Sequence, residues 1–284
     1  MTVFDTRQGY WQKRKKEWKA AGLQSEKGRN EGLLGDGLKK LAQKKGMNLT
    51  GTSIFDPVLC EVVYNWFGKK DGIVFDPFAG GSVRGIVAEM VGQHYIGIDL
   101  SEKQIDANQI NADKFKVCPA WHCDDSKNAD KYIIDGSADL VFSCPPYHNL
   151  EKYSNHPLDL SNMTYNDFLT AYSEIIQLSC KKLKNDRFAV FVVGDIRDSK
   201  GAYRDFVSET KRIFQSCGLS LYNDIVLLEQ IATKAMIAEK QFTAKRKLPK
   251  THQNVLVFYK GDIKEIEHFN PEEIVKADLT KFLQ

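Results

Sequence analysis

The strongest constraint on the fold is an alternation. Short apolar runs at 73–76, 95–99, 117–123, 138–143 and 188–193 are separated by stretches of helical periodicity. A short apolar run bounded by polar turns reads as a buried strand, and strands that alternate with helices build a parallel sheet covered on both faces. Two more runs, at 219–228 and 254–259, lie close enough in sequence to be antiparallel neighbours. The expected fold is therefore α/β, with seven strands, mostly parallel, and the last strands antiparallel. Local signals place the helices. Asp56 can cap a helix opened by Pro57, with Leu59, Val62, Val63, Trp66 and Phe67 at helical spacing. Others follow Ser82 and Ser101 and occupy 165–183 and 203–217.

In open α/β sheets ligands bind beyond the carboxyl ends of the strands, so the residues that end each run are the functional candidates. One run closes with Ser143-Cys144-Pro145-Pro146-Tyr147. The double proline has no N–H to give and fixes φ, which ends the ladder and leaves an aromatic on a stiff platform. The first run leads into Asp76-Pro77-Phe78-Ala79-Gly80-Gly81-Ser82, where small residues let backbone approach a ligand and a helix N-terminus offers unpaired N–H groups. A dinucleotide fingerprint is not met, because Ser82 stands where the second glycine belongs. The next run ends at Asp99, placed to accept hydrogen bonds from a ribose diol.

Taken in order, DPFAGGS, GIDL, DDS and SCPPY, preceded by SIFDP at 53–57, resemble the S-adenosylmethionine site and catalytic loop of DNA amino-methyltransferases, which methylate adenine N6 or cytosine N4. The resemblance spans roughly 51–260 and is to the solitary, phage- or bacterial-type members. It implies a Rossmann-like class I methyltransferase sheet, S-adenosylmethionine as cofactor and duplex DNA as partner. By it Asp76, Pro77, Phe78, Ala79, Gly80, Gly81 and Ser82 surround the methionine moiety. Asp99 and Leu100 take the ribose and adenine, Asp125 the adenine edge, and Ser53 and Phe55 complete the pocket. Ser143, Cys144, Pro145, Pro146 and Tyr147 form the catalytic set. Two departures stand out. Gly-Gly-Ser replaces the family's common Gly-Ser-Gly, and Cys144 occupies a position usually held by Asp, Asn or Ser. A thiol is a poor hydrogen-bonding group, though close in shape to the serine of cytosine-type members. The motif order instead resembles that of adenine-modifying members, so the target base stays open. Three alternatives use the same residues: ring-carbon methylation with Cys144 as nucleophile, methylation of RNA or of a protein glutamine amide, and a DNA-binding relative without activity.

Charge is unevenly placed. Residues 1–50 hold twelve Lys and Arg against five Asp and Glu, while the whole chain carries only +3. A basic head on a mildly acidic body suits a polyanion. Lys13, Arg14, Lys15 and Lys16, interleaved with Trp11 and Trp18, are expected to contact DNA. So are Lys245, Arg246 and Lys247 in the long basic stretch 229–253. The domain reading is a basic N-terminal arm at 1–50, a catalytic domain at 51–262 and a tail at 263–284.

Six cysteines without a CxxC pair read as free thiols, and Cys118, His122 and Cys123 match no zinc spacing, so no metal is expected. No apolar run is long enough to span a membrane and no signal peptide is apparent, so a soluble, cytoplasmic protein is expected. A homodimer is left open.

Overall fold

The structure, a computed structural model, describes residues 2–24, 55–148, 156–229, 234–268 and 275–283. Its strands are β1 (Val3–Asp5), β2 (Ile73–Asp76), β3 (His94–Asp99), β4 (Ala120–Cys123), β5 (Ala138–Ser143), β6 (Leu183–Val193), β7 (Ser220–Leu228) and β8 (His252–Lys260). Its helices are α1 (Gly9–Ala20), α2 (Pro57–Phe67), α3 (Val83–Met90), α4 (Glu102–Phe115), α5 (Tyr165–Lys182), α6 (Phe206–Ser216) and α7 (Lys234–Lys245). The strands form one sheet in the order β1-β7-β8-β6-β5-β2-β3-β4. All neighbours are parallel except β8, which runs antiparallel to both β6 and β7. This is the Rossmann-like class I methyltransferase arrangement.

The strand count corrects the sequence expectation from seven to eight. β1 is a three-residue strand in a segment whose composition is polar, and it joins the sheet by pairing parallel with the end of β7. No periodicity is visible in three residues, so only the tertiary pairing reveals it.

The apolar alternation of β6 shows how the sheet is covered. Phe188, Val190 and Val192 join the core under α2 and α3, while Ala189, Phe191 and Val193 join the core under α5 and α6. Capping is local and legible. Asp56 accepts from the N–H groups of Val58 and Leu59 at 2.9 and 3.4 Å, Ser101 from Gln104 at 3.3 Å, and Thr164 from Asp167 at 3.3 Å.

In its described part the basic N-terminal segment belongs to the body. Trp11 and Trp18 of α1 are buried in the core shared with α2, and the Trp11 Nε1–H donates to Asp56 at 3.2 Å. The C-terminal segment packs there too, with Ala277 and Leu279 buried and the Phe282 ring 5.1 Å from that of Phe115. Within 229–253, expected as a loop, residues 234–245 form α7.

Candidate active site

Four parallel strands deliver their carboxyl ends to one edge of the sheet. The residues that follow β2, β3, β4 and β5 open there onto a single cavity of about 800 Å³. Phe55, Pro77, Phe78, Gly80, Gly81, Asp99, Leu100 and Asp125 line it from the cofactor motifs. Cys144, Pro145, Pro146 and Tyr147 line it from the double-proline loop. Gly80 and Tyr147 thus face the same space, as transfer between two ligands requires.

Asp76, Ala79, Ser82 and Ser143 are not among the lining residues. They lie behind it. Asp76 is fully buried and its carboxylate is spent inside the protein. Oδ1 accepts from Ser143 Oγ at 2.5 Å and from the Phe78 N–H at 3.1 Å. Oδ2 accepts from Arg84 Nε at 2.5 Å and from the Tyr95 hydroxyl at 2.6 Å. Ser143 and Asp76 end neighbouring strands, so one hydrogen bond ties the cofactor loop to the double-proline loop. Burial by itself would push the Arg84 guanidinium down, but the adjoining Asp76 carboxylate outweighs it and holds Arg84 above its ordinary value. Burial beside the same carboxylate pushes the Tyr95 phenol up. Ser82 is equally occupied, donating to Asn111 Oδ1 at 2.9 Å.

The glycine loop is held from two sides. Gly80 has φ near +51°, a conformation glycine adopts without a Cβ penalty. Its N–H donates to Asp99 Oδ2 at 3.0 Å, and its carbonyl accepts from Asn108 Nδ2 at 2.7 Å. The Ser101 N–H donates to Asp99 Oδ1 at 2.8 Å, so the Asp99 carboxylate is aligned by backbone from the two loops beside it. Asp125 accepts from the Lys127 N–H at 2.9 Å and starts a short 3₁₀ turn. Phe55 carries the Arg84 guanidinium over its ring at 4.6 Å. Ser53 lies outside the described residues.

On the double-proline loop the Tyr147 hydroxyl donates to Gln253 Oε1 at 2.6 Å and lies 3.7 Å from Cys144 Sγ. The Tyr147 ring meets Phe206 edge-on, with centroids 6.4 Å apart.

The basic residues divide. Arg14, expected at DNA, makes an internal clasp. Its guanidinium donates to both oxygens of Glu61 at 2.5 and 2.9 Å, to Glu17 at 2.9 Å and to the Ala277 carbonyl at 2.7 Å. Lys15 pairs with Asp56 at 2.8 Å and lines the cavity beside Lys16, while Lys13 is exposed. Lys245 and Arg246 are exposed and Lys247 is half-buried; Arg246 lies 5.0 Å over the Phe242 ring. Sequence reasoning missed Arg84, Gln253, Glu229 and Lys19 as site residues. Arg84 alone left a signal, a charge within the apolar spacing Val83, Ile86, Val87.

Residues 39–110 match the family model described as DNA methylase, the N6 and N4 methyltransferases. This segment is similar to the corresponding part of the amino-methyltransferases. Members of the amino-methyltransferase family take their methyl group from S-adenosylmethionine, and the matched residues include both the glycine loop and Asp99. The cavity fits that cofactor in kind: an aligned carboxylate on β3 for a diol, a backbone loop at a helix start, and aromatic walls at Phe55 and Phe78. TrmN from Thermus thermophilus has a similar fold, with a TM-score of 0.51 at 13% identity over 72% of this chain. The match covers 49% of TrmN, so this chain spans about half that protein's length. A second Thermus thermophilus protein, provisionally described as a DNA modification methylase and solved with S-adenosyl-L-methionine, matches at 17% identity and a TM-score of 0.37, over 49% of this chain and 54% of that one. A SAM-dependent methyltransferase of Methanosarcina mazei matches at 13% identity and a TM-score of 0.46, over 70% and 96%. No curated protein matches the sequence. No described helix is long and apolar enough to cross a membrane.

Proposed function

We propose that this chain moves a methyl group from S-adenosylmethionine to the exocyclic amino nitrogen of a flipped adenine or cytosine in duplex DNA. The observation that supports it most is the single cavity on which the cofactor loops and Cys144-Pro145-Pro146-Tyr147 both open. The sulfonium of the cofactor supplies an electrophilic methyl group. Asp99 accepts from the ribose hydroxyls, Asp125 from the adenine edge, and Phe55 and Phe78 exclude water around the apolar parts.

An amino nitrogen on a base is a weak nucleophile because its lone pair is drawn into the ring. In this reading the Pro145 carbonyl and the Cys144 sulfur accept its two N–H bonds, which favours the pyramidal amine and aims the lone pair outward. Tyr147 stacks on the base, which has to leave the duplex to reach the cavity. Positioning in a preorganised polar pocket carries most of the rate. Lys13, Lys16, Lys245, Arg246 and Lys247 meet phosphates, supplying affinity without sequence information.

The test is incubation with tritiated S-adenosylmethionine and either duplex DNA or RNA, followed by digestion to nucleosides. Label is expected in N6-methyladenine or N4-methylcytosine from DNA. Label in 5-methylcytosine, in RNA alone or in protein would overturn the reading. Pro146→Ala and Tyr147→Ala are each expected to abolish transfer, while calorimetry shows cofactor binding within about twofold of the parent.

A further inference from the structure

The loop that carries Tyr147 does not set the angle of its ring alone. The ring packs against the core under α5 and α6, meets Phe206 edge-on and otherwise faces the cavity. The hydroxyl is held from the far side of the sheet. Antiparallel pairing sets Gln253, near the start of β8, opposite Leu227, near the end of β7, and the Glu229 N–H donates to the Thr251 carbonyl at 3.0 Å. Gln253 and Glu229 are thereby brought to the cavity beside Tyr147. The Tyr147 hydroxyl reaches Gln253 Oε1 at 2.6 Å, and Gln253 Nε2 donates to Glu229 Oε1.

The direction of this chain of hydrogen bonds follows from what each group can do. An ionised carboxylate only accepts, so the amide nitrogen of Gln253 turns to Glu229 and its oxygen turns to Tyr147. The amide oxygen in turn only accepts, and at 2.6 Å it is a closer acceptor for the phenolic proton than the Val192 carbonyl at 3.4 Å. Replacing the carboxylate removes the reason for the amide to point that way, and the phenol then loses its shortest hydrogen bond.

We propose that Glu229, acting through Gln253, is a positioning residue that holds the Tyr147 ring at the angle at which a base stacks on it. This rests on the amine-methylation reading above. Neither residue belongs to a motif of the double-proline loop; Glu229 directly follows β7 and Gln253 lies in β8, on either side of the basic stretch 230–251.

The experiment is a double-mutant cycle on transfer to DNA, with Tyr147→Phe, Gln253→Leu and both together, beside Glu229→Ala and Glu229→Gln. A misplaced aromatic is expected to lower kcat about tenfold to a hundredfold, with KM for S-adenosylmethionine within about twofold. The double variant is expected to be no worse than Gln253→Leu, and Glu229→Gln, which keeps an acceptor, to recover most of what Glu229→Ala loses. Losses that multiply, or a Gln variant as poor as the Ala variant, would overturn the proposal. Melting temperatures identify any variant that fails to fold. Crystal structures of the parent and of Gln253→Leu give a second readout that needs no activity. The Tyr147 ring is expected to be turned or spread over rotamers in the variant, and an unmoved ring would overturn the proposal. A parent protein that labels no nucleic acid would overturn the methylation reading, leaving the ring's position to decide the inference.

Discussion

Asp76 and Cys144 show how far a motif residue's role can differ from its place in the motif. Asp76 was expected against the cofactor and instead ties four internal donors together, Ser143 and Arg84 among them. Asp76→Asn removes the charge opposite a buried guanidinium, and breaking such a pair from one side costs about 3–5 kcal/mol. The expected outcome is that loss in urea unfolding, together with weakened cofactor binding, because Arg84 also donates to the carbonyls of Phe78 and Ala79 at 2.6 and 2.9 Å. Cys144 lines the cavity within reach of the Tyr147 hydroxyl. If its sulfur acts only as an acceptor, Cys144→Ser keeps transfer within about tenfold of the parent, since the hydroxyl is the better hydrogen-bonding group. A covalent nucleophile would lose activity entirely in the same variant, and trapping of a protein–DNA adduct by the parent would confirm it. At this scale the motifs were legible because ligand loops need small residues and strand-end acids in a fixed order. The partners were not, because Ser143 and Asp76 lie 67 residues apart and only folding brings them together.

The elements were read more completely than their contacts. Asp56-Pro57 and Ser101 announce helix starts through capping chemistry within three or four residues, so a local reading finds them. β1 and the inward turn of Arg14 depend on β7 and on Glu61, which no local signal reveals. Asp139, at the start of β5, is a further contact of this kind. It accepts from the Ile73 N–H of β2 at 3.0 Å, and from Lys184 and Arg187 of β6 at 2.8 and 3.2 Å. Burial raises its carboxyl, but these three donors outweigh burial and hold it below the ordinary carboxylate range. A depressed folded value contributes stability that is present above the unfolded value, about 4, and is lost as pH falls through the folded one. The urea midpoint of the parent is therefore expected to fall more steeply below about pH 4 than that of Asp139→Asn. Parallel acid profiles for the two proteins would refute the assignment.

For the whole molecule, the legible part was the direction of the strands near the site, since strands joined through helices lie parallel and present their carboxyl ends together. Charge was legible only as an amount. Residues 1–50 are basic in composition, yet α1 turns Arg14 inward and sets Lys15 and Lys16 at the cavity. Of the cations expected at DNA, Lys13, Lys16, Lys245 and Arg246 are exposed and Lys247 is half-buried. Replacing Lys245, Arg246 and Lys247 with alanine is expected to weaken binding to any duplex and to lower the slope of log affinity against log salt by about one for each phosphate no longer neutralised. Cofactor affinity measured on the same variant is expected to stay within about twofold, and an unchanged salt slope would exclude those residues from the interface.

The reversed direction of β8 has an outcome of its own. Because β7 and β8 are antiparallel neighbours, the connection between them is anchored at both ends beside the cavity, by Glu229 and Thr251. Closure entropy grows slowly with loop length, so such a connection can be lengthened, trimmed or exchanged without disturbing any ladder of the sheet. Under the function proposed above, contacts to the target made from this connection can change quickly, while the residues around the cavity stay on rigid strands.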